Sequence, residues 1–258
     1  MKLNLKLLAI FALAFLPLIA SAQATGPLNI NVGNDLLSSQ RLFQLIAITT
    51  VLTLAPSILM MVTSFTRIVI VFAFLRTAMG LQTTPPNTVL ISLALFLTLF
   101  IMAPVMKTSY EQGISPYLNG QIEEAEAFER GAAPFRTFML NNVRESDLDL
   151  FLQMLPEDQQ VDPELDLTQP EAQAEVPLVA IVPAFMISEL RRAFEIGFLL
   201  FLPFLVIDLA VASILMSMGM MMLPPIIISL PFKIIFFVLV DGWHLLVGSL
   251  VESFKGVT

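Results

Sequence analysis

Four apolar runs, each close to or longer than the roughly 20 residues that cross a hydrocarbon layer, recur along this chain and make a bilayer its relevant solvent. They cover residues 42–65, 88–106, 177–216 and 226–251. The whole chain is 57% hydrophobic with a mean hydropathy of +0.84, and only 13% of it is charged. A soluble domain carries about 25% charged residues. The runs pair about two turns, Thr83-Thr84-Pro85-Pro86-Asn87 and Leu223-Pro224-Pro225, where proline ends regular helix. The pattern predicts an all-α membrane protein of two long helical hairpins separated by a small helical insert.

The formal charge of -8 comes from that insert. Fifteen of the twenty-one acids fall within residues 107–176, against four basic residues. Such a segment belongs in water, and its sign argues against a nucleic-acid partner. With no cysteine and a single histidine, disulfides, thiolate chemistry and Cys/His zinc sites are excluded. No cofactor or metal is expected. The phosphate-loop pattern G-x-x-x-x-G-K-[ST] is absent, so energy for any transport would come from partners.

At the N-terminus, Lys2 and Lys6 precede an apolar stretch over 7–20 and an Ala20-Ser21-Ala22 site before Gln23. This is the layout of a secretory signal peptide over 1–22, cleaved between Ala22 and Gln23. Cleavage would leave 23–41 as a short periplasmic segment and send the first span inward. Arg67 and Arg76, with no acid in 66–87, place that run in the cytoplasm by the positive-inside rule. The first hairpin, 42–106, would then return outward and deliver the insert, 107–176, to the periplasm. The second hairpin occupies 177–258.

Within the insert, Phe135, Phe138 and Met139, then Leu148, Phe151, Leu152 and Leu155, recur at helical spacing and predict short amphipathic helices. Ser146 precedes Asp147 and Asp149 as an N-cap with acids in the first turn, and Pro156 marks the stop. Residues 156–176 are dense in Asp, Glu, Gln and Pro and read as a flexible linker.

The second hairpin carries Glu189, Arg191, Arg192, Glu195, Asp208, Lys233 and Asp241. Each ion at mid-bilayer costs about 2.5–3.5 kcal/mol on insertion scales, so these groups must be paired, near the surface, or facing water or protein. With the turn centred near Met221, Asp208 and Lys233 fall at similar depth and can pair within one hairpin. Glu189 lies about 28 Å further along an unbroken helix, too far from Lys233 inside a simple hairpin but within reach of a shifted neighbouring copy. A solvated helix end is the competing reading for 189–195; Asp208 escapes it most clearly and is the expected buried charge. Met216, Met218, Met220, Met221 and Met222 crowd the turn. Apolar gap-filling, a deformable seal and a thioether Cu(I) site all use such residues.

The string Met60-Met61-Val62-Thr63-Ser64-Phe65-Thr66-Arg67-Ile68-Val69-Ile70-Val71, with Gln82-Thr83-Thr84-Pro85-Pro86-Asn87, resembles the FliP/SctR family of type III export-gate subunits. Pro183-Ala184-Phe185-Met186-Ile187-Ser188-Glu189-Leu190, Phe204-Leu205-Val206-Ile207-Asp208-Leu209, Met218 to Pro225, Pro231-Phe232-Lys233 and Leu239-Val240-Asp241-Gly242-Trp243 extend the likeness in order over more than half the chain. The resemblance implies a non-enzymatic, homo-oligomeric gate in the inner membrane, within the flagellar basal body, assembled with FliQ and FliR, assisted by FliO, and working beside FlhA and FlhB.

It further implies that Met220, Met221 and Met222 form a gasket around the passage of unfolded flagellar proteins, with Met216, Met218, Pro224 and Pro225 in support. It also implies that Glu189 faces Lys233 of an adjacent copy. The rival readings are an injectisome gate of the same architecture, a secondary transporter using Asp208 and Lys233 at mid-membrane, and, more remotely, acid–base chemistry at Asp241 and His244.

Overall fold

Helix α1, Ser39–Met61, leads into the chain and stops where Thr63 and Ser64 interrupt the apolar run. The Thr63 hydroxyl accepts from the Phe65 amide at 3.4 Å, a local bond that competes with continued helix. Helix α2, Phe65–Ala78, begins there. This is a computed structural model, and it describes residues 39–156, 170–220 and 222–255. The proposed signal peptide, with its Ala22–Gln23 cleavage site, therefore lies outside the described residues, as does Met221. The chain divides within α1, and the compact unit begins at Val51.

All regular structure among the described residues is helical. After α2 come α3, Asn87–Ser109, a π-turn over Tyr110–Ile114, and α4, Ser115–Leu118. The insert supplies α5, Glu124–Asn142, α6, Glu145–Leu152, and α7, Pro170–Glu175. Then follow α8, Leu178–Ser217, α9, Pro225–Leu239, and α10, Gly242–Lys255. Two stretches, Asn87–Leu118 and Leu178–Ser217, are long and apolar enough to cross a membrane, and α9 with α10 would make a third if the pair is one span bent by 62°. Both expected hairpins are thus broken within one arm, at Thr63–Ser64 and at Val240–Asp241.

The centre of the unit is α2, which the sequence assigns to a cytoplasmic flank because of its arginines. Ile68, Val71, Phe72 and Leu75, spaced three and four apart, are fully or almost fully buried against Ala94 of α3, Ala193 and Phe204 of α8, Phe237 of α9 and Leu250 of α10. In lipid such contacts stabilise by close van der Waals packing and not by removal from water. Arg67 is neutralised from inside the protein by Glu189, which leaves Arg76 as the charge of this run that the positive-inside reading can use.

Helix α8 spans about 60 Å at 1.5 Å per residue despite Pro183 and Pro203. Gly197 lets α2 approach it, since a Cβ there would stand 2.4 Å from the Phe74 ring.

A second core joins the insert to the membrane helices. Phe138 and Met139 of α5 and Leu148 of α6 pack with Met102 of α3, Ile181 and Phe185 of α8, and Phe254 of α10. Two expectations change here. The first helical residue after the α5–α6 turn is Glu145, with Arg144 at the cap position, so Ser146 is inside the helix and not its N-cap. Arg144 holds that position because its amide donates to Ser188 Oγ at 3.1 Å. The end of the supposed linker is ordered as α7: Thr137 donates to Gln173 at 2.8 Å, Arg136 to the Ala174 carbonyl at 3.0 Å, and Val176 is fully buried. Residues 157–169, the rest of that linker, lie outside the described residues.

Candidate functional site

The α8–α9 turn ends with a glycine lock. Gly219 has φ 74°, its amide donates to the Met216 carbonyl at 3.1 Å, and the Met220 amide donates to the Leu215 carbonyl at 3.0 Å. This pair of bonds is the Schellman arrangement, which satisfies the last carbonyls of a helix and stops it. Pro224 caps α9 and Pro225 opens it. Around these stops Met216 and Met218 are exposed, Met220 is half-buried and Met222 is 98% exposed. Within the chain, Met216, Met218 and Met222 therefore belong to no core.

Below the turn, Asp208 and Lys233 meet within one hairpin, as their similar spacing from its tip allows. Lys233 Nζ lies 2.6 Å from Asp208 Oδ2 and donates to the Ala78 carbonyl at 3.2 Å, while the Ser229 hydroxyl donates to Asp208 Oδ1 at 2.5 Å. Lys233 is the buried member; the Asp208 side chain keeps 29% of its surface, so it is a poorer fit to a buried charge than expected. The contact fixes α8, α9 and the end of α2 to one another. Lys233→Met would leave Asp208 with Ser229 and partial access to water. We expect it to lower stability by about 1–3 kcal/mol, read as a fall in thermal midpoint in detergent.

The second pair is deeper and was not anticipated. Arg67 grips Glu189 through both carboxylate oxygens, with Nε to Oε2 at 2.7 Å and Nη2 to Oε1, and the two side chains are 1% and 0% exposed. Its remaining terminal nitrogen, Nη1, donates to Ser253 Oγ at 2.9 Å, and the guanidinium lies 3.7 Å from the Phe254 ring centroid. Forked hydrogen bonding and an aromatic face suit arginine and not lysine. Glu189 is thus no solvated helix end. Its neighbour Ser188 faces the insert, donating to Asp147 Oδ2 at 2.8 Å. Consecutive residues of α8 therefore tie the membrane core and the insert to the same turn of helix.

Glu189 and Lys233, expected to face each other across a subunit boundary, each have a partner inside the chain. A bridge between them requires both internal pairs to open. Among the described residues no group of three or more His, Cys, Asp or Glu side chains can hold a metal ion.

The sequence model of the FliP family matches residues 48–250, which contain both ion pairs except for Ser253 and Phe254, and the whole methionine turn. The chain belongs to the FliP family. Family members of similar sequence include the flagellar biosynthetic protein FliP of Caulobacter vibrioides, 57% identical over 97% of this chain and 90% of that protein. That of Rhizobium meliloti is 58% identical over 80% of each chain. The FliP of Bacillus subtilis is 50% identical over 82% of this chain and 91% of its own.

Proposed function

We propose that this member of the FliP family is a pore-forming core subunit of the flagellar protein export gate in the inner membrane. Several copies surround a passage for unfolded flagellar proteins. FliQ and FliR complete the wall, FliO assists assembly, and FlhA and FlhB belong to the surrounding export apparatus. The insert faces the periplasm. The conduit is passive and non-catalytic, and its driving energy comes from partners.

One observation carries the sealing role: Met222 stands 98% exposed at a turn whose backbone is closed by Gly219 on one side and Pro224 on the other. Flexible, polarisable thioethers held outward on a rigid support can close around a gap of changing shape. Met220, Met221 and Met222 form the gasket, and Met216, Met218, Pro224 and Pro225 support it. A Glu189–Lys233 bridge between copies enters this reading as a partner exchange on assembly. The flagellar assignment, in preference to an injectisome, is supported by relatives named as flagellar biosynthetic proteins.

Replacing Met220, Met221 and Met222 together by alanine tests the seal. The assembly should purify at its normal mass while cells or planar bilayers carrying it leak ions. Unchanged conductance in an intact, opened assembly removes the gasket. A detergent-purified wild-type protein with the mass of one chain removes the multi-copy gate itself.

A further inference from the structure

Between α2 and α3 the chain runs through residues 79–86 outside any helix. The ends of this turn are held. The Gly80 amide donates to the Thr77 carbonyl at 3.0 Å and the Leu81 amide to the Arg76 carbonyl at 3.1 Å, while the Arg76 side chain donates to the Pro85 carbonyl and to Asn87 Oδ1. The middle is open. Gln82, Thr83 and Thr84 are exposed and, among the described residues, make no hydrogen bond through main chain or side chain. Consecutive main-chain donors and acceptors of this kind cannot face hydrocarbon, where a backbone group without a partner is too costly.

Residues 80–84 form one wall of a cleft of 310 Å³, and Ile226, Ile227 and Leu230 of α9 form the other. Ile226 is 63% and Ile227 66% exposed. The lining carries no charged side chain, so nothing in it selects one sequence over another. Ligand clefts begin at about 300 Å³, and a helix ~10 Å across is too wide for one of that size. Extended chain suits it. Main-chain bonds to residues 82–84 hold any sequence, and an apolar side chain can lie on the isoleucines.

The position of the cleft supplies the occupant. Its apolar wall begins with α9 at Pro225, three residues after Met222, so the cleft continues directly from the methionine turn. Its other wall is fixed to the same hairpin: a Cβ on Gly80 would stand 4.0 Å from Lys233 Nζ, which donates to the Ala78 carbonyl. A polypeptide without a fold brings unmet backbone groups and bare apolar side chains together, which is the combination this cleft answers.

We infer that the cleft is a holding site for the unfolded polypeptide in transit, in which a short extended stretch of the exported chain lies beside the gasket. The inference rests on the conduit reading above. A shallow, uncharged site binds well enough to receive the chain and weakly enough to release it, as conduction requires.

Photocrosslinking in the assembled gate tests it. Thr83, Ile227 and Met222 are replaced singly by benzoylphenylalanine, and the gate is loaded with a flagellar export protein whose C-terminus carries a stably folded domain, so that the chain stalls in the passage. All three positions should give adducts of substrate mass. Adducts at Met222 but not at both cleft positions overturn the site and leave the conduit standing. Adducts of Thr83 and Ile227 to another gate subunit or to lipid, in place of substrate, also overturn it. No substrate adduct at any of the three overturns both readings. Ile227→Asp is the functional arm. Position 227 is in the first turn of α9, where the helix dipole favours an acid. Its export rate should fall by about tenfold with complex mass and ion tightness at wild-type values, and Ile227→Leu, which keeps the apolar wall, should export normally. A wild-type rate for Ile227→Asp overturns the site, and the crosslinks decide the matter even if that variant does not assemble.

Discussion

Glu189→Ala is expected to remove about 3–5 kcal/mol of stability, the cost of leaving a buried partner charge without its counterion. That is a large part of the ~5–15 kcal/mol that holds a typical domain together. The reason is geometric. Arg67 is 1% exposed, its Nε and Nη2 are committed to Glu189 and its Nη1 to Ser253, so losing Glu189 leaves a buried cation without its counterion. The same change should be visible as loss of detergent-extractable folded chain and a lower thermal midpoint. Removing both charges is the discriminating control. Arg67→Met with Glu189→Leu fills similar volume without ions, and it should recover most of the loss. A double variant as unstable as Glu189→Ala would mean that the residues act through packing at Phe254 and not through charge.

Two facing glycines should respond to alanine with opposite signs. At Gly113, in the π-turn, a Cβ would lie 2.7 Å from the Ala127 carbonyl oxygen and 2.7 Å from Gly131 Cα. Both obstacles are backbone, so the π-turn and α5 must separate, and the 2.6 Å bond from Ser109 Oγ to the Gly131 carbonyl lengthens with them. We expect Gly113→Ala to destabilise by about 1–3 kcal/mol, loosening the insert first. At Gly131 the nearest atom to a Cβ is Ser109 Oγ at 3.7 Å, ordinary contact, and the residue is inside α5. There alanine should stabilise by about 0.5–1 kcal/mol through the unfolded chain. Proteolysis rates of the insert in the two variants check the pair; equal behaviour would rule out the close approach as the cause.

How much of this the residues announce depends on separation along the chain. Asp208 and Lys233 can be matched by counting from a turn centred near Met221, because a hairpin converts sequence spacing into height. Arg67 and Glu189 are 122 positions apart, and no spacing rule reaches that far. The available signal was a charge inside an otherwise apolar stripe, Ile68, Val71, Phe72 and Leu75, whose helical period marks Arg67 as facing inward with them. Positive-inside logic counts the same arginine as solvated, whereas its side chain is 1% exposed. The helices of the insert follow the spacing of Phe135, Phe138 and Met139. Helix α7 does not declare itself, because Pro170–Glu175 has the composition of a linker and is held by tertiary bonds from Arg136 and Thr137. Asp241 looked like half of an Asp–His couple; its positive φ, invisible in composition, makes it a helix break.

The long reach between Arg67 and Glu189 also sets a clock. Synthesis at about 5–20 residues per second separates the two by roughly 6–24 seconds across those 122 positions. During that interval a nascent α2 carries an arginine with no counterion and cannot settle among apolar neighbours. Its packing is therefore completed only when α8 emerges with Glu189.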